Sequence, residues 1–243
     1  LSIDDTVAMP TASLGKVLLL IELSARMRTG AELAQGLVER SVEDSVGDSG
    51  LWQHLQAPVL PTADLAALIG GVSDNLATNV LLRRFGLDAV RSRAEELGLR
   101  HTALPDRVRD RRGPDDVPHL SIGASGLLAR LFAGLARGQV IDSMTSSRVI
   151  GWLSLGADLS MVASAFGLDP LAHRALDHGI QLINKTGTDA GVRAEAGAVR
   201  GPSGAVAYAV AVQFDDESMP ARLRVLEAMR AVGTDLLEYV AGS

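Results

Sequence analysis

Between Ser13 and Met27 the chain reads as a helix whose stretch from Val17 to Leu23 is apolar on nearly every side, Glu22 excepted. A helix with one apolar stripe can lie on a surface, but a helix apolar all round has to be enclosed. The chain must therefore build a lobe around this segment, and 243 residues suffice for that. Further 3.6-residue periodicities at residues 31–42, 63–69, 75–85, 87–97, 122–135 and 143–155 supply candidate enclosing helices. They are interrupted at residues 101–119, where Pro105, Gly113, Pro114 and Pro118 stand among arginines and aspartates and predict a long irregular loop.

From Gly179 the pattern changes. Short apolar segments at residues 180–183, 196–199 and 205–214, separated by Gly-rich turns, predict three antiparallel strands. Ser218 and Pro220 then open a last helix with Leu223, Leu226, Met229, Val232 and Leu236 on one face, running to Val240. The expected architecture is α+β: a helical lobe over residues 13–172, and a lobe of residues 1–12 with 173–243 that holds the antiparallel sheet and the C-terminal helix.

Composition removes several classes of function. A formal charge of −6 provides no general basic field, so nucleic acid is not an expected partner. The longest wholly apolar run, residues 205–212, is far short of the ~18 residues of a membrane span. Cysteine is absent, which excludes disulfides, thiolate metal sites and thiol nucleophiles. The five histidines show no metal-binding spacing. No metal or cofactor is implied, and His173 and His178, on either side of Asp177, read as surface residues. Trp52 reads either as packing or as part of a substrate mouth. The chain begins at Leu1 with no charged and apolar leader, as a processed or trimmed chain would.

Of 23 basic residues only Lys16 and Lys185 are lysine. An amine can lose its proton in a protein and a guanidinium effectively cannot, so these two positions are where chemistry is sought. Both fall in short motifs, Ser13-Leu14-Gly15-Lys16 and Lys185-Thr186-Gly187, with Ser73-Asp74-Asn75 between them. Residues i and i+3 share a helix face, so Ser13 can present its hydroxyl beside the Lys16 amine. An amine packed among apolar side chains is easier to deprotonate and can take the serine proton. The backbone N–H of Ser13, at a helix start, is free to face a developing oxyanion. Taken singly, each motif has a structural explanation: an N-cap, another helix start, a strand end with a turn glycine.

Together and in this order, the three motifs resemble those of the class A β-lactamases and penicillin-binding proteins, an active-site serine superfamily. The resemblance implies a β-lactamase-like fold, a small-molecule acyl substrate and a secreted or periplasmic site of action. It casts Ser13 as nucleophile, Lys16 as its base and Ser73 as proton relay to the leaving nitrogen. Asn75 would hold a substrate amide, Lys185 with Thr186 and Gly187 a substrate carboxylate, and Thr188 would give the second oxyanion N–H. The alternatives are a penicillin-binding-like D-alanyl acyltransferase or peptidase, and a non-catalytic acyl-capture protein.

Two departures matter. The family carries a helix and two strands upstream of the serine helix, where only a dozen residues precede Ser13, so the strand at residues 205–214 should have a free edge that an upstream stretch or a second chain covers. Class A enzymes also place a glutamate in the loop after Ser-Asp-Asn to activate the deacylating water. Counting without gaps, Arg109 falls there, and a guanidinium cannot be a base. A slip of one residue would bring Asp110 there instead. Deacylation is therefore expected to be impaired, and the loop arginines to pair with the loop's own aspartates.

Overall fold

The computed structural model describes residues 1–31 and 34–242. The chain enters through a short strand, β1 (Ala8–Pro10), and a 3₁₀ turn (Ala12–Gly15), then forms α1 (Lys16–Arg28). Every residue of α1 from Lys16 to Ala25 is buried, and Val17 to Ile21 have no exposed surface at all. Fully burying such aliphatic side chains stabilises by roughly 1.5–3 kcal/mol each. The all-apolar helix is the centre of the main core, enclosed by α2 (Thr62–Val72), α3 (Asn75–Phe85), α4 (Leu87–Glu96) and α6 (Ser143–Leu153). Its one buried acid, Glu22, is paired with Arg26 and Arg93.

No helix occupies residues 31–42 as expected. Residues 32 and 33 lie outside the described residues, and Leu37–Glu39 is a strand, β2, antiparallel to β3 (Val59–Pro61). Gly36, at φ 86°, takes a left-handed conformation just before it. The segment expected to be helical over 122–135 opens as a strand, β4 (Ile122–Ala124), paired with β1, and becomes α5 only at Ser125–Ala136. The stretch 101–119 contains no helix or strand.

The last part is an antiparallel sheet in the order β5 (Gln181–Asp189), β6 (Val192–Arg200) and β7 (Ala205–Gln213). β5 and β6 are longer than their apolar cores suggested, because Arg193 and Glu195 interrupt the run of β6 without ending it. Alternation divides the sheet: Ile183, Ala194 and Ala196 join the α1 core, while Leu182, Val199 and Tyr208 face a second core with Val162, Met229 and Val240. α7 (Met219–Ala241), capped by Ser218, covers that second side. The outer edge of β7 has no strand partner among the described residues. The architecture is α+β, as expected, and no helix among the described residues is long and apolar enough to cross a membrane.

Candidate active site

Ser13 sits in the 3₁₀ turn that precedes α1, one step earlier than a first α-helical turn. The turn is forced: Ala12 has a left-handed backbone (φ 47°), rare for a residue with a Cβ. Ser121 holds it there. Its hydroxyl donates to the Ala12 carbonyl (2.5 Å) and accepts from the Gly15 N–H (3.2 Å) and from Thr11 Oγ1 (2.8 Å). On the other side Gly187 lies so close that a Cβ would stand 2.0 Å from the Thr11 carbonyl and 3.0 Å from the Leu14 nitrogen. The glycine of Lys185-Thr186-Gly187 thus seats β5 directly against the turn that carries Ser13.

Lys16 is fully buried, and its Nζ donates to Asn75 Oδ1 (2.6 Å), the Ser73 carbonyl (2.7 Å) and Ser73 Oγ (3.3 Å). Lys185 Nζ donates to the same Ser73 Oγ (3.0 Å) and to the Thr186 carbonyl (2.7 Å). Ser73 itself is in the left-handed region (φ 56°) at the end of α2, which turns its side chain between the two amines. With both acceptor positions of that hydroxyl occupied, its proton remains to be donated elsewhere. The Ser13 hydroxyl makes no hydrogen bond among the described residues. Sequence spacing placed Lys16 beside Ser13, whereas the three N–H groups of this amine turn to Ser73 and Asn75.

Burial pushes the Lys16 amine well below the usual lysine range, and the nearby Lys185 adds to this against the opposing Asp74 and Asp48. Burial also lowers Lys185, to about 8, with Asp158 opposing. Asn75 donates through Nδ2 to the Gly47 carbonyl (3.0 Å), leaving its second N–H free. Besides its charge, which opposes deprotonation of Lys16, Asp74 has a structural task. It caps α3 through the Ala77 N–H (2.8 Å) and accepts from Leu51 and Trp52 N–H (both 2.8 Å). Lys185, Thr186 and Ser73 line a cavity of about 350 Å³ with Ser49 and Asp158. The Thr186 hydroxyl has no protein partner among the described residues, and Thr188 is exposed at the strand's end.

A model of the β-lactamase enzyme family matches residues 1–240. The chain belongs to that family. Its fold is similar to a β-lactamase from Sphaerobacter thermophilus (22% identity, TM-score 0.83, covering 98% of this chain and 86% of that one). A mutant of PBP-A, solved as its acyl-enzyme complex with penicillin G, is also similar (20%, 0.79, 98% and 83%). So is a β-lactamase from Burkholderia vietnamiensis (21%, 0.76, 98% and 84%). No curated protein matches the chain.

Within this β-lactamase-family fold the loop after α4 is pinned from both sides. Asn79 donates to the Val108 carbonyl (3.0 Å) and accepts from its N–H (2.9 Å). Arg109 points into the loop, its Nε donating to Asp106 Oδ2 (2.8 Å), with Asp116 at 3.4 Å. Arg112 donates to the same Asp106 oxygen (2.6 Å). Burial raises the Asp106 carboxyl, but the hydrogen bonds from Arg109 and Arg112 outweigh it and hold it below the usual range. Asp110 accepts from the Gly47 N–H (2.7 Å) and lines a different cavity from Lys185.

Trp52 is fully buried, its indole N–H on the Ala57 carbonyl, so it packs and does not line a mouth. His178 is exposed, but His173 is not the surface residue expected: it is 3% exposed, with Nδ1 on the Asp169 carbonyl (2.9 Å). No group of three or more metal-ligating side chains occurs among the described residues. Sequence reasoning missed Ser121, Asn79 and Asp158. Asn79 had a signal, since it follows Asn75 by four residues on one helix face; the other two had none.

Proposed function

We propose that the chain is an active-site serine hydrolase that forms an acyl-enzyme on Ser13 with a β-lactam or a related amide or ester, and that release from this ester is slow. The observation that carries the reading is the Ser73 hydroxyl, held by two buried amines beside the strand that abuts the Ser13 turn. Neutral Lys16, favoured by burial, gives up one contact and turns its lone pair to the Ser13 proton. Ser13 Oγ bonds to the carbonyl carbon, and the charge on oxygen is met by the N–H groups of Ser13 and Thr188. The C–N bond then breaks as Ser73 gives its proton to the nitrogen and is reprotonated by the Lys16 ammonium, so the Ser13 proton ends on the leaving group. Lys185 and Thr186, with Gly187 allowing close approach, hold the substrate carboxylate, and the free N–H of Asn75 holds its amide.

Slow release follows from Arg109. A guanidinium paired with Asp106 and Asp116 supplies no base, and Asp110, bonded to the Gly47 N–H, lines a different cavity from Lys185 and Ser73. The same feature favours the penicillin-binding-like reading, in which an amine or hydroxyl other than water accepts the acyl group. That a PBP-A mutant of similar fold was solved with penicillin G as an acyl-enzyme is in keeping with either. The free edge of β7 is, on this reading, covered by an upstream stretch or a second chain. Intact mass after incubation with benzylpenicillin tests the proposal: one added penicillin, mapped to Ser13 and absent in Ser13→Ala, is expected. An unmodified protein that also leaves the drug intact would overturn it.

A further inference from the structure

The cavity that holds Lys185 has a feature that recognition of a substrate carboxylate does not require. Lys185 is the single cation among the described residues that line it, and a carboxylate, Asp158, lines the same space. Asp158 is not on a loose loop. The Ala157 N–H donates to the Gly71 carbonyl (2.8 Å), tying the segment to the end of α2. Asn184, next to Lys185 on β5, donates from Nδ2 to the Asp158 carbonyl (3.3 Å) and to Glu195 Oε1 (2.9 Å). Glu195 is fully buried and held in turn by the Tyr208 hydroxyl (2.7 Å) and the Ala163 N–H (3.3 Å). The Asp158 side chain uses Oδ1 for Ser160 (N–H 3.1 Å, hydroxyl 2.6 Å), and Oδ2 has no partner among the described residues. Two cations feel its charge, Lys185 and Arg193, and neither forms an ion pair with it among the described residues: Lys185 donates to Ser73 and Thr186, while Arg193 donates to the Asp189 and Val192 carbonyls, lies over Phe214, and is absent from the cavity lining.

We propose that Asp158 is a specificity-determining residue that selects acyl substrates carrying a cationic group beside the carboxylate that Lys185 and Thr186 hold. This rests on the acylation reading above and adds the substrate class. A substrate that is only anionic meets Lys185 and Asp158 with opposite results, whereas one with adjacent negative and positive groups satisfies both. Specificity of this kind is a difference between two affinities, and the repulsive partner contributes as much as the attractive one.

Cephaloridine and cephalothin form a matched pair for the test. Both carry the thienylacetyl side chain and the ring carboxylate; beside that carboxylate, cephaloridine has a pyridinium and cephalothin an uncharged acetoxy group. The second-order rate constant for acylation of Ser13 is measured for both, and the ratio in the protein is divided by the ratio in Asp158→Asn, which cancels their intrinsic reactivities. An exposed charge near a charged ligand group should make this quotient about three- to tenfold in favour of the cation. Asp158→Glu should keep the preference and Asp158→Lys should reverse it. A quotient of one, with both compounds acylating every variant, overturns the assignment of Asp158 and leaves the acylation reading standing. Failure of both compounds to acylate the unmodified protein overturns the acylation reading and this inference with it.

Discussion

Two lysines share one serine hydroxyl, and the proposed chemistry requires their protonation states to differ. On that reading Lys16 is neutral to take a proton, while Lys185 is charged to hold a carboxylate. Burial lowers Lys185 to about 8, so its ammonium form dominates below that pH and is lost above it. Acylation by an anionic penicillin should therefore fall with one proton's dependence as pH rises through about 8, and a rate constant flat to pH 9.5 would contradict the role of Lys185. Arg109 gives the second test at this scale. Arg109→Glu should shorten the lifetime of the Ser13 adduct, by at most ~10²–10⁴-fold if the new carboxylate reaches the water. It should also lower Tm, because it removes two ion pairs and sets a third carboxylate against Asp106 and Asp116. An unchanged adduct lifetime in the folded variant would show that this position is not where water is activated. The motif residues were legible because lysine is scarce and each motif is contiguous. Ser121 was not, since the Gly15 and Ala12 it holds lie 106 and 109 residues away, and nothing local marks it.

Elements carry the site by being pressed together, and the β5 contact with the Ser13 turn is the tightest of these junctions. Gly187→Ala would put a methyl 2.0 Å from the Thr11 carbonyl, so the strand or the turn must shift. Overpacking of this kind costs roughly 1–3 kcal/mol. Acylation should fall by more than tenfold while the far-ultraviolet circular dichroism stays close to that of the parent; full acylation speed would show that the junction does not position the serine. The enclosed helix α1 and the terminal helix α7 were legible because their apolar patterns admit one arrangement. β2 was not: Ala34, Leu37 and Val38 also fit a helical period, and pairing with Val59–Pro61 decides for the strand. The length of β6 was hidden for a different reason. Glu195 breaks its apolar run, and only the folded sheet supplies Asn184 and Tyr208 to make that buried carboxylate tolerable.

At the scale of the whole molecule, the sheet ends in β7, nine residues whose outer edge is unpaired among the described residues. Such an edge is a template for another strand. The chain Leu1–Ser243 should therefore self-associate as its concentration rises, seen by light scattering and by slowed hydrogen exchange in β7. A strictly monomeric species with fast-exchanging β7 amides would show that the edge needs no cover. On the proposed reading the fold serves one chemical asymmetry: the Lys16 and Lys185 amines meet at the Ser73 hydroxyl beside the strand that abuts the Ser13 turn, whereas the loop expected to drive release is closed by its own arginine–aspartate pairs. Stopped-flow hydrolysis of the chromogenic cephalosporin nitrocefin tests this most directly. The account predicts a burst of one equivalent of opened β-lactam per Ser13, followed by a steady state slower by at least tenfold. Rapid multiple turnover with no burst would contradict it.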